Sequence, residues 1–221
     1  MRAEQRVTPE VPESILRGTE LADLAMLYDP DVMLVTAPTL PGPAARRHAE
    51  ALAQAKLGHS TLEVSTPEGT PSPGALRRLA VGDGEGAGAW VTYLEEVTSL
   101  FAHLLGARVV GVRQIVSEGP HCPRFHVDRV PARGVLNVVG ACTEWLDEPD
   151  VDRDRLGHAG GAEDLTSGLV LDWHGLERAE PGALAVFKGT AWPGAEDRAV
   201  VHRSPPPDGG RRLLLTLDWL E

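Results

Sequence analysis

The stretch CPRFHVDRVPAR, residues 122–133, contains two possible metal ligands, His126 and Asp128. An imidazole and a carboxylate two residues apart can bind one divalent ion. The pair alone is weak evidence, because the same spacing recurs at His48 and Glu50. The surrounding and downstream residues therefore decide whether this stretch belongs to a metal site.

The second pair is excluded by its predicted local structure. His48 and Glu50 lie in PAARRHAEALAQAKLG, whose apolar spacing predicts an amphipathic helix that ends at Gly58. Residues two apart on a helix point in different directions, so they cannot readily chelate one ion.

A third possible ligand, His202, lies in AVVHRS, and Arg211 and Arg212 begin the next apolar run, RLLLTLDWL. Two imidazoles and one carboxylate occupy one face of an octahedral ion and leave three positions open, which suits non-haem Fe(II). An arginine beyond them can pair with the far carboxylate of a chelating keto acid. Arg212 is favoured because strand alternation places it on the face of Thr216, and Arg211 is the alternative after a one-residue slip.

The elements that position these residues differ between the two halves of the chain. Residues 1–106 are predicted to be mainly helical, with helices in 12–29, 43–58 and 89–107 and one strand in DVMLVTAP. Residues 64–88, rich in Pro, Gly, Ser and Thr, are predicted to form a flexible surface loop.

After Gly106, short runs rich in Val and Leu are bounded by turn residues, which predicts strands without intervening helices. The runs are RVVGVRQIV, GVLNVV, GLVLDW, ALAVFKG, AVVHRS and RLLLTLDWL. We therefore predict a single α+β domain over 1–221, in which residues 107–221 form an antiparallel β-barrel or sandwich and the N-terminal helices cover its outer face.

Composition narrows the classes of partner. The net charge of −11 opposes binding to phosphate backbones, so nucleic acid is not an expected partner. The N-terminus lacks a signal-peptide pattern and there is no apolar run of membrane-spanning length, so a soluble, cytoplasmic protein is expected. Only two cysteines fit a reducing compartment. The oligomeric state stays open, a homodimer included.

The order His126-Val127-Asp128, a long gap, His202 and then Arg212 resembles the iron(II)/2-oxoglutarate dioxygenase superfamily. The resemblance implies a double-stranded β-helix core, also described as a jelly roll or cupin-like fold. It also implies Fe(II) and 2-oxoglutarate as cofactors, and an oxygenase acting on a small or peptide-like substrate.

At finer grain, CPRFHVDRVP, TEWL, FKG, HRSP and RLLLTLD are similar to a bacterial family known as domain of unknown function 1826. Members lie beside zinc-chaperone GTPases, so the resemblance also implies an alternative, a non-oxidative Zn(II)-binding protein of metal homeostasis. Further candidates for the pocket are, in chain order, Cys122, Asn137, Thr143, Glu144 and Trp145. Cys122 has zinc-like spacing to His126.

Overall fold

The computed structural model describes residues 14–55, 58–157, 163–206 and 208–221. The strands are β1 (Ile15–Arg17), β2 (Leu34–Pro38), β3 (His59–Ser65), β4 (Val109–Ser117), β5 (Ala132–Val139), β6 (Glu144–Leu146), β7 (Glu177–Arg178), β8 (Ala183–Lys188), β9 (Val201–Arg203) and β10 (Arg212–Trp219). The α-helices are α1 (Pro43–Gln54), α2 (Glu85–Leu105) and α3 (Asp164–Ser167), and one of several 3₁₀ segments spans Leu21–Tyr28.

Two sheets form the core. The large sheet has seven strands in the order β1-β2-β8-β5-β10-β4-β3, and the small sheet has three in the order β7-β6-β9. All neighbouring pairs are antiparallel except β1 with β2. This is an α+β protein with a double-stranded β-helix core, as predicted.

Strand β10 lies in the interior of the large sheet and shows how its two faces differ. Leu213, Leu215 and Leu217 join the core formed with the helices, whereas Leu214 packs in a second core with side chains such as Trp145 of the small sheet. Successive side chains of a strand point to opposite faces, so one face of the sheet is covered by helices and the other faces the small sheet.

Helix α2 fills the helix-covered side. Its buried side chains include Trp90 and Phe101, and the Trp90 indole donates a hydrogen bond to Gln114 Oε1 on β4 at 3.0 Å. The helix ends at Gly106, which adopts the left-handed conformation (φ 65°) that favours glycine at this position. The predicted end of α1 at Gly58 is not observed, since α1 ends at Gln54.

The first half is less helical than predicted. Ile15–Arg17 is a strand parallel to β2, and Gly18 follows it with its N–H donated to the Thr36 carbonyl at 2.8 Å. A Cβ at Gly18 would lie 2.7 Å from the Thr36 oxygen, so this close approach needs glycine. Pairing with β2 therefore overrides the helical spacing, and residues 12 and 13 lie outside the described residues.

Residues 64–88 also differ from a simple surface loop. The segment begins with the last residues of β3, which pairs with β4, and it buries Leu76 and Leu79 against the core. In the second half, the predicted strand GLVLDW is reduced to a single bridge between Val170 and Val151. Strands β6 and β7 were not predicted, because three- and two-residue strands carry too little pattern.

No helix in the described part of the chain combines the length and the apolar character that crossing a membrane requires.

Candidate metal centre

Three predicted ligands lie together between the two sheets. One ligand atom each from His126, Asp128 and His202 falls within 4.8 Å of the others. The His126 Nε2–Asp128 Oδ1 distance is 3.8 Å and the His202 Nε2–Asp128 Oδ2 distance is 3.4 Å. No fourth such residue joins this group within the described ranges.

Backbone pairing brings the two histidines together. His126 N–H donates to the His202 carbonyl, and His202 N–H donates to the His126 carbonyl, both at 3.0 Å. The segment before β5 therefore runs antiparallel beside β9, which places the two imidazole centroids 4.4 Å apart. Phe187 from β8 packs on the His202 ring at 4.7 Å.

Both imidazoles present Nε2 to the cluster. His126 Nδ1 donates to the Arg124 carbonyl at 2.9 Å, and His202 Nδ1 donates to the Val200 carbonyl at 3.1 Å. A carbonyl accepts only from a protonated nitrogen, so the lone pair of each ring lies on Nε2. Burial lowers the pKa of His202 to about 4 against the opposing charge of Asp128, so this ring is neutral at pH 7.

The carboxylate of Asp128 has one occupied and one free oxygen. Oδ1 accepts from Arg133 Nη1 at 2.7 Å, and Arg133 Nε in turn donates to Asp218 Oδ1 at 2.5 Å. Oδ2 is buried and has no hydrogen-bond partner among the described residues. A buried carboxylate oxygen without a partner is costly, so it indicates a missing cation or donor.

The donor set fits a divalent ion. Two ligands at ~2.1 Å from one ion and at right angles to each other are ~3.0 Å apart. The His202 Nε2–Asp128 Oδ2 separation of 3.4 Å is close to this value, and one ligand atom from each of the three residues lies within 4.8 Å of the others, so side-chain rotations would bring them to a common ion. Two imidazoles and one carboxylate suit both Fe(II) and Zn(II).

The structure separates the two candidate arginines. Arg212 is buried on the inner face of β10, where Nε donates to the Ala141 carbonyl at 2.7 Å and Nη2 donates to Asn137 Oδ1 at 3.0 Å. Its Nη1 is buried without a partner among the described residues. Arg211 points away and donates to Glu118 Oε1 at 2.6 Å and to the Gln54 carbonyl.

A cavity opens beside the cluster between the two sheets. It is lined by Arg113, Ile115, His121, Cys122, His126, Arg133, Val135, Thr143, His202, Arg203, Ser204, Leu214 and Thr216. Its free volume is about 50 Å³, so a keto acid can enter only if side chains shift. His121 and Cys122 of this lining are exposed to solvent.

The other predicted pocket residues divide into two groups. Thr143 lines the cavity, and its hydroxyl contacts the Asn137 amide at 3.3 and 3.4 Å. Asn137 also accepts a hydrogen bond from Arg212, so it links Thr143 to Arg212. Cys122 lies at the cavity but outside the three-residue cluster. Glu144 and Trp145 are buried and do not line it.

The buried side chains of Glu144 and Trp145 have other partners. Glu144 accepts from Arg203 Nε and Arg178 Nε, both at 2.8 Å, and Trp145 packs in the core between the sheets. Expecting them in the pocket was wrong, because the TEWL motif identifies a strand but not which way its side chains face.

Sequence reasoning missed Arg113 and Arg133. Both lie on long strands, and each shares a strand face with a buried apolar residue two positions later. That residue is Ile115 for Arg113 and Val135 for Arg133. That spacing was the available signal, because a charged residue in phase with buried apolar residues faces the interior.

Comparisons with known proteins agree with this architecture. A family model described as "Protein of unknown function (DUF1826)" matches residues 18–218. No curated protein matches the chain.

Among solved structures, the dioxygenase for auxin oxidation of rice is 14% identical with a TM-score of 0.55, over 96% of this chain and 83% of that one. The dioxygenase for auxin oxidation 1 of Arabidopsis thaliana, a 2-oxoglutarate complex, is 10% identical with a TM-score of 0.53, over 93% and 91%. JOX2 in complex with 2OG, Fe and JA is 11% identical with a TM-score of 0.50, over 92% and 73%. At these identities the likeness shows the fold alone.

Proposed function

The chain belongs to the DUF1826 family, and from its fold and site we propose that it is a non-haem Fe(II)/2-oxoglutarate-dependent oxygenase acting on a small or peptide-like substrate. One observation carries the proposal: the partnerless Asp128 Oδ2 lies beside two imidazoles, and a buried arginine on the same sheet face has an unpartnered N–H group. The first feature suits a cation and the second suits an anion. An iron ion and a keto acid supply both.

His126, Asp128 and His202 would hold the metal through two Nε2 atoms and one carboxylate oxygen. Three protein ligands would leave half of an octahedral shell open, which is room for a chelating keto acid and one further small ligand. When bound, Fe(II) and 2-oxoglutarate would supply the means of activating O2, the oxidant, with oxidation of the keto acid to succinate and CO2. The protein positions these groups and limits water, with apolar side chains such as Val135 and Leu214 at the cavity wall.

Arg133 positions the carboxylate ligand. It donates to Asp128 Oδ1, so Oδ2 is the oxygen left for the metal, and its own guanidinium is held by Asp218. The metal is then bound through one carboxylate oxygen, which preserves an open coordination face.

Arg212 would bind the far carboxylate of the keto acid. Its Nε and Nη2 are fixed by Ala141 and Asn137, so the planar guanidinium is already oriented and only Nη1 awaits a partner. A preoriented arginine binds a carboxylate with little loss of side-chain entropy. Arg212 does not line the cavity wall, so the keto acid must reach it past Asn137 and Thr143.

The alternative is a non-oxidative zinc-binding protein of metal homeostasis. The same three ligands accept Zn(II), which the general affinity order favours over Fe(II). A zinc site of that kind needs no anion, however, and so gives no role to the partnerless Nη1 of Arg212.

We also infer a cytoplasmic location, since both cysteines are free.

The test is an anaerobic titration of the Fe(II)-loaded protein with 2-oxoglutarate, followed by visible absorption. Chelation of iron by the keto acid produces a charge-transfer band, which we expect to saturate with one equivalent. Iron binding without such a band at any 2-oxoglutarate concentration contradicts the proposal and leaves the zinc alternative.

A further inference from the structure

The cavity beside the metal cluster is basic although the protein is acidic. Its lining includes three arginines, and no aspartate or glutamate lines it in the described part of the chain. The whole chain has a net charge of −11. A concentration of cationic groups against this background indicates a site for anions.

Two of the three lining arginines are already neutralised. Arg133 pairs with Asp128 and Asp218, and Arg203 pairs with Glu144 and Asp164.

The third, Arg113, has no ion pair and donates no side-chain hydrogen bond within the described residues, although it is only partly exposed. Its positive charge therefore faces the cavity without a counter-charge.

A second unpartnered group lies directly beside it. Thr216 on β10 is the cross-strand neighbour of Arg113 on β4, and both side chains line the cavity. Thr216 is 6% exposed, and its Oγ1 is buried without a hydrogen-bond partner among the described residues. A guanidinium and a hydroxyl on adjacent strands can together donate to one carboxylate. His121 lines the cavity as well.

We propose that Arg113 and Thr216 form a second anion subsite, which binds the carboxylate of an organic-acid substrate while Arg212 binds the keto acid. This inference rests on the proposed function and narrows its substrate to small carboxylates. The two subsites lie at different positions along β10 of the large sheet. Arg212 lies four residues before Thr216 on the same face of β10, beside Asn137, whereas Thr216 pairs with Arg113 and Val135.

The charges of the loaded site support a singly charged substrate. The two positive charges of Fe(II) are matched by the two negative charges of 2-oxoglutarate. Asp128 and Asp218 carry two negative charges, against one positive charge on Arg133, which pairs with both, and one on Arg212. Arg178 and Arg203 are balanced by Glu144 and Asp164. The charge of Arg113 alone is then left, and a half-buried charge without a counter-ion is costly. One substrate carboxylate neutralises it.

The probes for the test are acetate, propionate and phenylacetate, each compared with its primary amide. Binding is measured by ligand-observed NMR and calorimetry on the Mn(II)-loaded protein saturated with 2-oxoglutarate, so the keto-acid subsite is blocked. We expect at least one carboxylate to bind and its amide to bind at least tenfold more weakly. Failure of all three carboxylates to bind overturns the subsite.

Variants assign the binding to Arg113. We expect Arg113→Met to weaken the carboxylate at least tenfold, Thr216→Val to weaken it severalfold, and Arg113→Lys to retain part of the affinity. Arg46→Met, at an exposed arginine of α1, is the control and should bind like the wild type. Unchanged binding by Arg113→Met overturns the proposal, and thermal unfolding checks that each variant is folded.

The same variants show whether Arg113 binds the carboxylate of a substrate or that of 2-oxoglutarate. Arg113→Met should leave the affinity for 2-oxoglutarate within about twofold of the wild type. If it instead abolishes 2-oxoglutarate binding, Arg113 is the keto-acid anchor and the substrate subsite is wrong. If the wild type binds no 2-oxoglutarate but binds carboxylates through Arg113, the proposed function fails and the subsite stands.

Discussion

His126 and His202 lie far apart in the sequence but exchange two backbone hydrogen bonds of 3.0 Å. This pairing fixes the separation of the two imidazoles before any ion binds. The third ligand, Asp128, follows His126 by two residues, and its carboxylate is held by Arg133. The cluster is thus built into the backbone pairing of the core, so metal binding should require little rearrangement.

Asp128→Asn tests the carboxylate ligand. The amide keeps the shape of the side chain but removes the charge that balances the metal and Arg133. We expect metal affinity to fall by more than the roughly 10–100-fold that loss of an outer-shell partner costs. Competition with a chromophoric chelator measures this affinity, and Asp83→Asn, at a side chain that is 90% exposed, is the control. Equal affinities for Asp128→Asn and the wild type would place the metal elsewhere.

Arg212→Met and Arg211→Met form a matched pair on adjacent residues. Arg212 is buried with an unpartnered Nη1, whereas Arg211 binds Glu118 outside the cavity. We expect Arg212→Met to weaken 2-oxoglutarate binding by roughly 10–100-fold, the loss of one charge-assisted interaction. Metal affinity should be retained in both variants. Calorimetric titration with 2-oxoglutarate measures the affinity of each variant. An equal loss of affinity in the two variants would show that Arg212 is not the keto-acid anchor.

Arg133→Met should destabilise the fold as well as the site. It leaves Asp128 and Asp218 as buried carboxylates without their shared partner. Breaking a buried ion pair costs about 3 kcal/mol or more, so the free energy of unfolding of the metal-free protein should fall by about that amount. Urea denaturation measures it. Arg17→Met, which breaks only exposed ion pairs with Glu177 and Glu180, should change it by less than about 1 kcal/mol.

The stability of the metal-free protein should fall in mild acid. Burial lowers the pKa of His202 from 6.5 to about 4, so below pH 6.5 the unfolded chain binds a proton that the folded chain excludes. The contribution of this residue is complete above pH 6.5 and is lost as the pH falls towards 4. In His202→Gln, unfolding measured across this range should depend less steeply on pH. Identical slopes for variant and wild type would contradict the buried, neutral imidazole.

The sequence predicts those parts of the site that depend on local pattern. Strand geometry places Arg212 and Thr216 on one inner face, because residues four apart on a regular strand share a face and β10 pairs with β4 without a register shift over this stretch. The antiparallel barrel or sandwich follows from several short strands in succession, and the resemblance to the dioxygenase superfamily implies that it is a double-stranded β-helix. Neither inference needs the relative placement of distant segments.

What the sequence could not predict depends on tertiary contacts. Ile15–Arg17 is a strand only because β2 is available to pair with it, and the isolated pattern reads as helix. Glu144 is a partner of Arg203 rather than a pocket residue because of the orientation of β6. The alternation of β4 indicates that Arg113 faces the interior, but its lack of an acidic partner depends on neighbours across strands, which are not visible in one sequence.

The central claim is that the cluster supports oxidation coupled to 2-oxoglutarate. The most direct measurement is the oxygen-dependent conversion of 2-oxoglutarate to succinate by the Fe(II)-loaded protein, with the carboxylate probe that binds at Arg113 present. We predict succinate formation that requires iron and is lost in His202→Ala and Arg212→Met. Succinate formation no higher than in the iron-free protein, in a sample shown to bind both iron and 2-oxoglutarate, would contradict the account.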